Sequence, residues 1–300
     1  MKKSMAIILS LLMFGLIGGL WWYRTHRIPV ETGNGTTKSI VGPDGTLIEL
    51  DILDTEEEIS AFIKSDWSIG GIQYWQVQTH FKDDQLPLLY EMLKDEEYQE
   101  FAPNIACVIG MLSHDVNSVP ILIDCFERRE KENITEELMT RKIFNLSFLG
   151  KVGSEQSEEV LKKALQTSGA LELAEQWIDS EPVTRLYGNK EKVVLFIQRA
   201  AILGLVFLQK EETDAIVSQA YSLELSKSTT WKDRTPLCSS LSGAMAIKDY
   251  IKEYDLETYL RNPKYVPSQY LQKYSPWLRE QRIKNKQILE RLRQKDTNER

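Results

Sequence analysis

His114-Asp115 sets an imidazole beside a carboxylate, two groups that serve as general acids and bases when they meet over a substrate. Neighbours in sequence rarely converge on one substrate, and no third member of a triad accompanies the pair. Ser239-Ser240 and Ser242-Gly243 do not complete the G-x-S-x-G turn that exposes a nucleophile. The chain carries neither G-x-x-x-x-G-K-[ST] nor G-x-G-x-x-G, so neither phosphate-cradling loop is present. Cys107, Cys125 and Cys238 fit no metal spacing and no compact disulfide framework. Cys107 and Cys125 fall on adjacent expected helices, where a bridge is geometrically open, but three small buried apolar side chains are the simpler reading. The histidines, His26, His80 and His114, lie outside any HExxH or CxxC setting. Glu56-Glu57-Glu58 reads as the solvated first turn of a helix. Sequons at Asn34, Asn133 and Asn145 matter only in a glycosylating compartment. The sequence therefore assigns no catalytic, cofactor-binding or metal-binding residue.

Of the 300 residues, 42% are hydrophobic and 27% charged, enough for a sizeable core, and the net charge is −7. That acidic excess argues against binding along a phosphate backbone. Met5 to Tyr23 is apolar except for Ser10 and the Tyr23 hydroxyl. At about 1.5 Å per residue a helix of this length spans about 30 Å, the hydrocarbon thickness of a bilayer. Lys2 and Lys3 precede it, Arg24 and Arg27 follow it, and Trp21, Trp22 and Tyr23 stand where an interfacial aromatic belt would lie. A cleaved signal peptide is the rival, but no A-x-A site follows and the apolar run continues through Leu20 and the tryptophans. An uncleaved anchor is the expectation. The short dilysine tail favours a cytoplasmic N-terminus and a body outside the cytoplasm.

Ile28 to Gly45 is rich in Gly, Thr and Pro and suits a tether. Pro43-Asp44-Gly45 marks a turn between apolar runs at Ser39–Val41 and Thr46–Leu53, so a small hairpin can form there. Asp54 or Thr55 is placed to cap a helix whose apolar positions are Ile59, Phe62 and Ile63. Beyond it one spacing recurs: Leu88, Leu89, Met92, Leu93; Ile121, Leu122, Cys125, Phe126; Val160, Leu161, Ala164, Leu165; Ile216, Val217, Ala220, Tyr221. Each set lies on one face of an α-helix. Ahead of the last three come a second set of apolar helices, carrying Gly110, Gly150 and Gly204 near their ends. An interior glycine costs a helix about 1 kcal/mol relative to alanine, and close approach of a neighbouring helix is the usual compensation. Each unit thus reads as a helical hairpin, an inner helix followed by an amphipathic one. An extra helix, Ala170 to Ile178, fills the longest gap. Thr235–Tyr250 and Leu256–Leu260 extend the array before Pro263, Pro267 and Pro276 and a tyrosine cluster. The charged segment from Trp277 to Lys295 reads as a capping helix or as a partner-binding one.

Ala106-x-x-Ile109-Gly110-x-Leu112, then Asp115 and Val119-Pro120-x-Leu122, with weaker copies at Leu149-Gly150 and Ala201-x-Leu203-Gly204, resembles the HEAT-like helical repeat family over about residues 70–225. The copies are spaced irregularly and the first lacks the glycine. The resemblance implies an all-α, irregular α-solenoid, here preceded by one transmembrane helix. The expected organisation is an anchor at 1–27, a linker at 28–53, the repeat domain at 54–262, and a Pro/Tyr-rich segment with a charged helix at 263–300. The expected role is a membrane-tethered, non-catalytic scaffold for a protein or peptide partner, with no cofactor. The alternative is a lyase or cofactor-maturation enzyme like the phycobilin lyases, which the family resemblance also implies.

Overall fold

A computed structural model describes residues 38–41, 47–50, 53–65, 72–127, 136–175, 190–227, 234–263 and 266–275. Met5–Tyr23, Asn34, Asn133 and Trp277–Lys295 lie outside the described residues. Among the described residues, no helix is long and apolar enough to cross a membrane.

Two short strands, β1 (Lys38–Val41) and β2 (Leu47–Leu50), pair antiparallel with Lys38 opposite Leu50. The rest of the described chain is helical. Helix α1 (Glu56–Lys64) begins at Thr55, whose hydroxyl accepts from the Glu58 amide while the Glu58 carboxylate accepts from the Thr55 amide. This capping box satisfies donors a helix start leaves open. Ile59, Phe62 and Ile63 face the core from it. Then follow α2 (Tyr74–His80), α3 (Leu86–Met92), α4 (Ala102–Leu112), α5 (Ser118–Glu127), α6 (Glu136–Val152), α7 (Glu155–Leu165) and α8 (Thr167–Glu175). The chain continues through α9 (Lys190–Phe207), α10 (Glu211–Ser226), α11 (Pro236–Glu253), α12 (Leu256–Arg261) and α13 (Ser268–Tyr274). The recurring apolar faces sit on α3, α5, α7 and α10, and all of their residues are buried or half-buried. The extra helix expected from Ala170 begins three residues earlier, at Thr167.

Helices α4, α6, α9 and α11 form a row, each packed on the next. They run parallel. Near their starts, Arg141 of α6 donates to Asn104 of α4 at 2.7 Å, and the Asn145 amide donates to the Pro103 carbonyl at 2.8 Å. Toward their ends, Gly110 faces Phe148 and Gly150 faces Gly204. Arg199 in the first half of α9 donates to Ser240 near the start of α11 at 2.7 Å. Glycine is required at these crossings. A Cβ on Gly150 would lie 1.8 Å from the Gly204 carbonyl oxygen, and one on Gly110 would lie 2.6 Å from the Phe148 Cβ. Helices α5, α7 and α10 pack against the row, and one core cluster extends from Leu53 to Tyr270. The last described helix, α13, packs on α11. Helix α12 packs on α11 and also on α2, which brings residues 256–261 against residues 74–80.

Candidate functional site

The parallel row places four helix C-termini along one edge, followed by the turns at 113–117, 153–154, 208–210 and 254–255. His114 and Asp115 lie on this edge and are exposed. The Asp115 carboxylate is turned to its own loop, where Oδ1 accepts from the Asn117 amide at 3.0 Å and from its side-chain amide at 2.8 Å. Those bonds hold its carboxyl below the usual carboxylate range. The carboxylate is thus engaged in forming the turn.

Several other residues singled out in the sequence have packing roles. All three cysteines are buried and unbridged. Burial pushes the Cys107 thiol up to about 12, far from the thiolate that a nucleophile needs. Cys125 donates to the Ala102 carbonyl at 3.4 Å. Ser239 and Ser240 bond carbonyls one turn back in α11, and Ser242 donates to the Tyr274 carbonyl at 2.6 Å. Asn145 is buried in α6 with its amide on Pro103, so that sequon is closed to a glycan in the folded protein. Tyr270 donates to Glu253, and Tyr274 donates to Asp249 at 2.7 Å, which fixes part of the tyrosine cluster on α11.

Two features of the edge have no signal in the sequence. The first is Lys151, in the last turn of α6, whose ammonium donates to the Ser113 carbonyl at 2.9 Å. Cations suit this position because helix carbonyls there have no partner within the helix. Burial lowers the amine to about 8 from 10.5, against a weaker upward pull from Glu257 and Asp83. Tyr74 of α2 faces the same Glu257 and Arg261; its hydroxyl is buried without a hydrogen-bond partner and is pushed up to about 12, chiefly by burial.

The second is a cavity of about 340 Å³ between the turn after α9 and the turn after α11, at the small end of the range for ligand pockets. Gln209 and Asp255, the non-glycine residues with positive φ among those described, both line it. Gln209 is left-handed with φ 53°. Asp255, at φ 132° and ψ 168°, occupies a region that is essentially glycine's, a conformation costing roughly 1–3 kcal/mol. It is held there in part by capping α12, its Oδ1 accepting from the Thr258 amide at 2.6 Å. Asp214 of α10 also lines the cavity. Its Oδ2 pairs with Lys252 at 2.5 Å, while Oδ1 is buried with no hydrogen-bond partner. The second lysine of the wall, Lys248, donates to Ser218 at 3.0 Å. Tyr254 also lines it, with half of its surface exposed and its ring 4.9 Å from that of Tyr250. No sequence spacing announces this constellation, because Asp214 and Asp255 meet only through the packing of α9, α10 and α11. Among the described residues, no group of three or more His, Cys, Asp or Glu is placed to hold a metal ion.

No protein-family model, no curated protein and no solved structure matches the chain.

Proposed function

We propose that the chain is a membrane-tethered, non-catalytic interaction scaffold: an irregular, HEAT-like α-solenoid held at the bilayer by Met5–Tyr23, its body outside the cytoplasm. Its partner is a protein or peptide, and it uses no cofactor. The observation that carries this reading is the row of parallel helices drawn together by glycines at 110, 150 and 204. Close backbone approach repeated from one layer to the next gives a rigid edge of successive turns, a form suited to presenting many small contacts in a fixed order. Anchoring that edge beside a membrane raises its effective concentration toward partners in the same bilayer.

Photo-cross-linking in native membranes tests the proposal. The full chain stays in the membrane pellet through an alkaline carbonate wash, and a photoreactive residue at Val116, exposed on the turn edge, gives a discrete adduct with one protein. Release by the wash removes the tether. Absence of an adduct from Val116 and also from exposed Leu223 on α10 removes the scaffold.

A further inference from the structure

We propose that the cavity between the α9–α10 and α11–α12 turns is a receptor for an organic cation, a guanidinium or alkylammonium group. The inference rests on the scaffold reading only for the origin of that group, which would be an arginine or lysine side chain of the partner, with a free polyamine as the other source.

The wall carries three carboxylates, and both of its lysines are engaged. Lys252 is committed to Asp214 Oδ2 and Lys248 to Ser218, whereas Asp214 Oδ1 has no donor. The Asp214 side chain is 9% exposed and the Lys252 side chain 60%, so a fixed, buried carboxylate is covered by a lysine that can yield. A buried acceptor without a partner is rare in folded proteins and calls for a reason. Two further carboxylates, Glu253 and Asp255, line the same cavity, which leaves its formal charge at −1 against the two lysines. Helices α9 and α11 both end there, and helix C-termini favour cations. Tyr254, half-exposed and lining the same cavity, supplies an aromatic ring of the kind on which guanidinium and ammonium groups settle. An anionic ligand would meet the excess carboxylate, and a purely apolar one would leave Asp214 Oδ1 bare.

The test is titration of the full chain in detergent with N-acetyl-L-arginine amide, its neutral citrulline analogue, and spermidine, followed calorimetrically at fixed ionic strength. Saturable binding of the arginine amide is expected, at least tenfold weaker for the citrulline analogue. Tighter binding of spermidine than of the arginine amide would assign the site to free polyamines; the reverse order would assign it to a side chain. Asp214→Asn should weaken the cation at least tenfold and Tyr254→Ala severalfold. Lys252→Met, which removes the competing ammonium, should tighten it severalfold. Glu91→Gln changes the charge equally but lies on α3, and should leave affinity unchanged. Circular dichroism confirms that each variant folds, and Tyr254→Ala and Lys252→Met alter largely exposed side chains, so they decide the matter if Asp214→Asn does not fold. Equal binding of the citrulline analogue, no saturable binding of any cation, or indifference to Tyr254→Ala and Lys252→Met would overturn the assignment. Cross-linking at Val116 that persists under any of those results would leave the scaffold standing without this receptor.

Discussion

Lys151 shows how one side chain can be placed for the backbone around it at the expense of its own charge. Its ammonium meets the carbonyl of Ser113 on the neighbouring helix end, yet burial brings it down to about 8. At pH 7 the amine is charged folded and unfolded, and the fold bears the desolvation. Between about 8 and 10.5 the folded chain has released the proton while the unfolded chain still holds it, so stability rises with pH across that window. At about 1.36 kcal/mol per unit, the full difference is on the order of 3 kcal/mol. Wild type should therefore gain on Lys151→Met by up to that amount between pH 7 and 10, measured as urea unfolding of both proteins at several pH values. Parallel stability curves for the two would show that the amine is well solvated.

At the scale of the helices, the glycines separate into those that admit a neighbour and one that does not. Gly150→Ala drives a methyl into the Gly204 backbone, with no flexible side chain to give way, and should cost more than about 3 kcal/mol or abolish folding. Gly243 lies inside α11 with open space for at least 4 Å around the position a methyl would take, so Gly243→Ala should stabilise by about 1 kcal/mol through helix propensity alone. Thermal melts of the two variants check the contrast, and equal effects would show that crossing distance is not what selects glycine. These crossings were legible in sequence, because a glycine that weakens an apolar helix near its end calls for a close neighbour, and Gly110, Gly150 and Gly204 each have one. The apolar faces were legible for the same reason, 3.6-residue periodicity being local. The candidate site was not. Asp214 is one of three acids in the first turn of α10, and Asp255 stands between two helices, and neither position carries a local signal. The burial of Asp214 and its place in one cavity with Asp255 depend on how separate helices pack, which no local pattern encodes.

The contact between α12 and α2 belongs to the whole molecule. In an array where each layer touches only its neighbours, stability is a sum of local terms and one end can loosen without the other. Here Leu256, Tyr259 and Leu260 of α12 are buried, the Tyr259 ring lies 5.8 Å from that of Phe207, and the helix also meets α2. Residues separated by about 180 positions in the chain thus share one core. A tie of that length is entropically expensive to close, since loop entropy grows with the logarithm of the span, but once formed it couples α2, near the start of the helical array, to α12, near its described end. Leu260→Ala should cost about 2–5 kcal/mol as a buried truncation. Its signature lies in the distribution of the effect: by hydrogen exchange, protection should fall in 256–261 and equally in 74–80, while 143–150 in the middle of the row keeps the larger part of its protection. Loss confined to 256–261 would mean that the two ends rest against each other without sharing stability, and uniform loss along the chain would mean that the row has no separable ends at all.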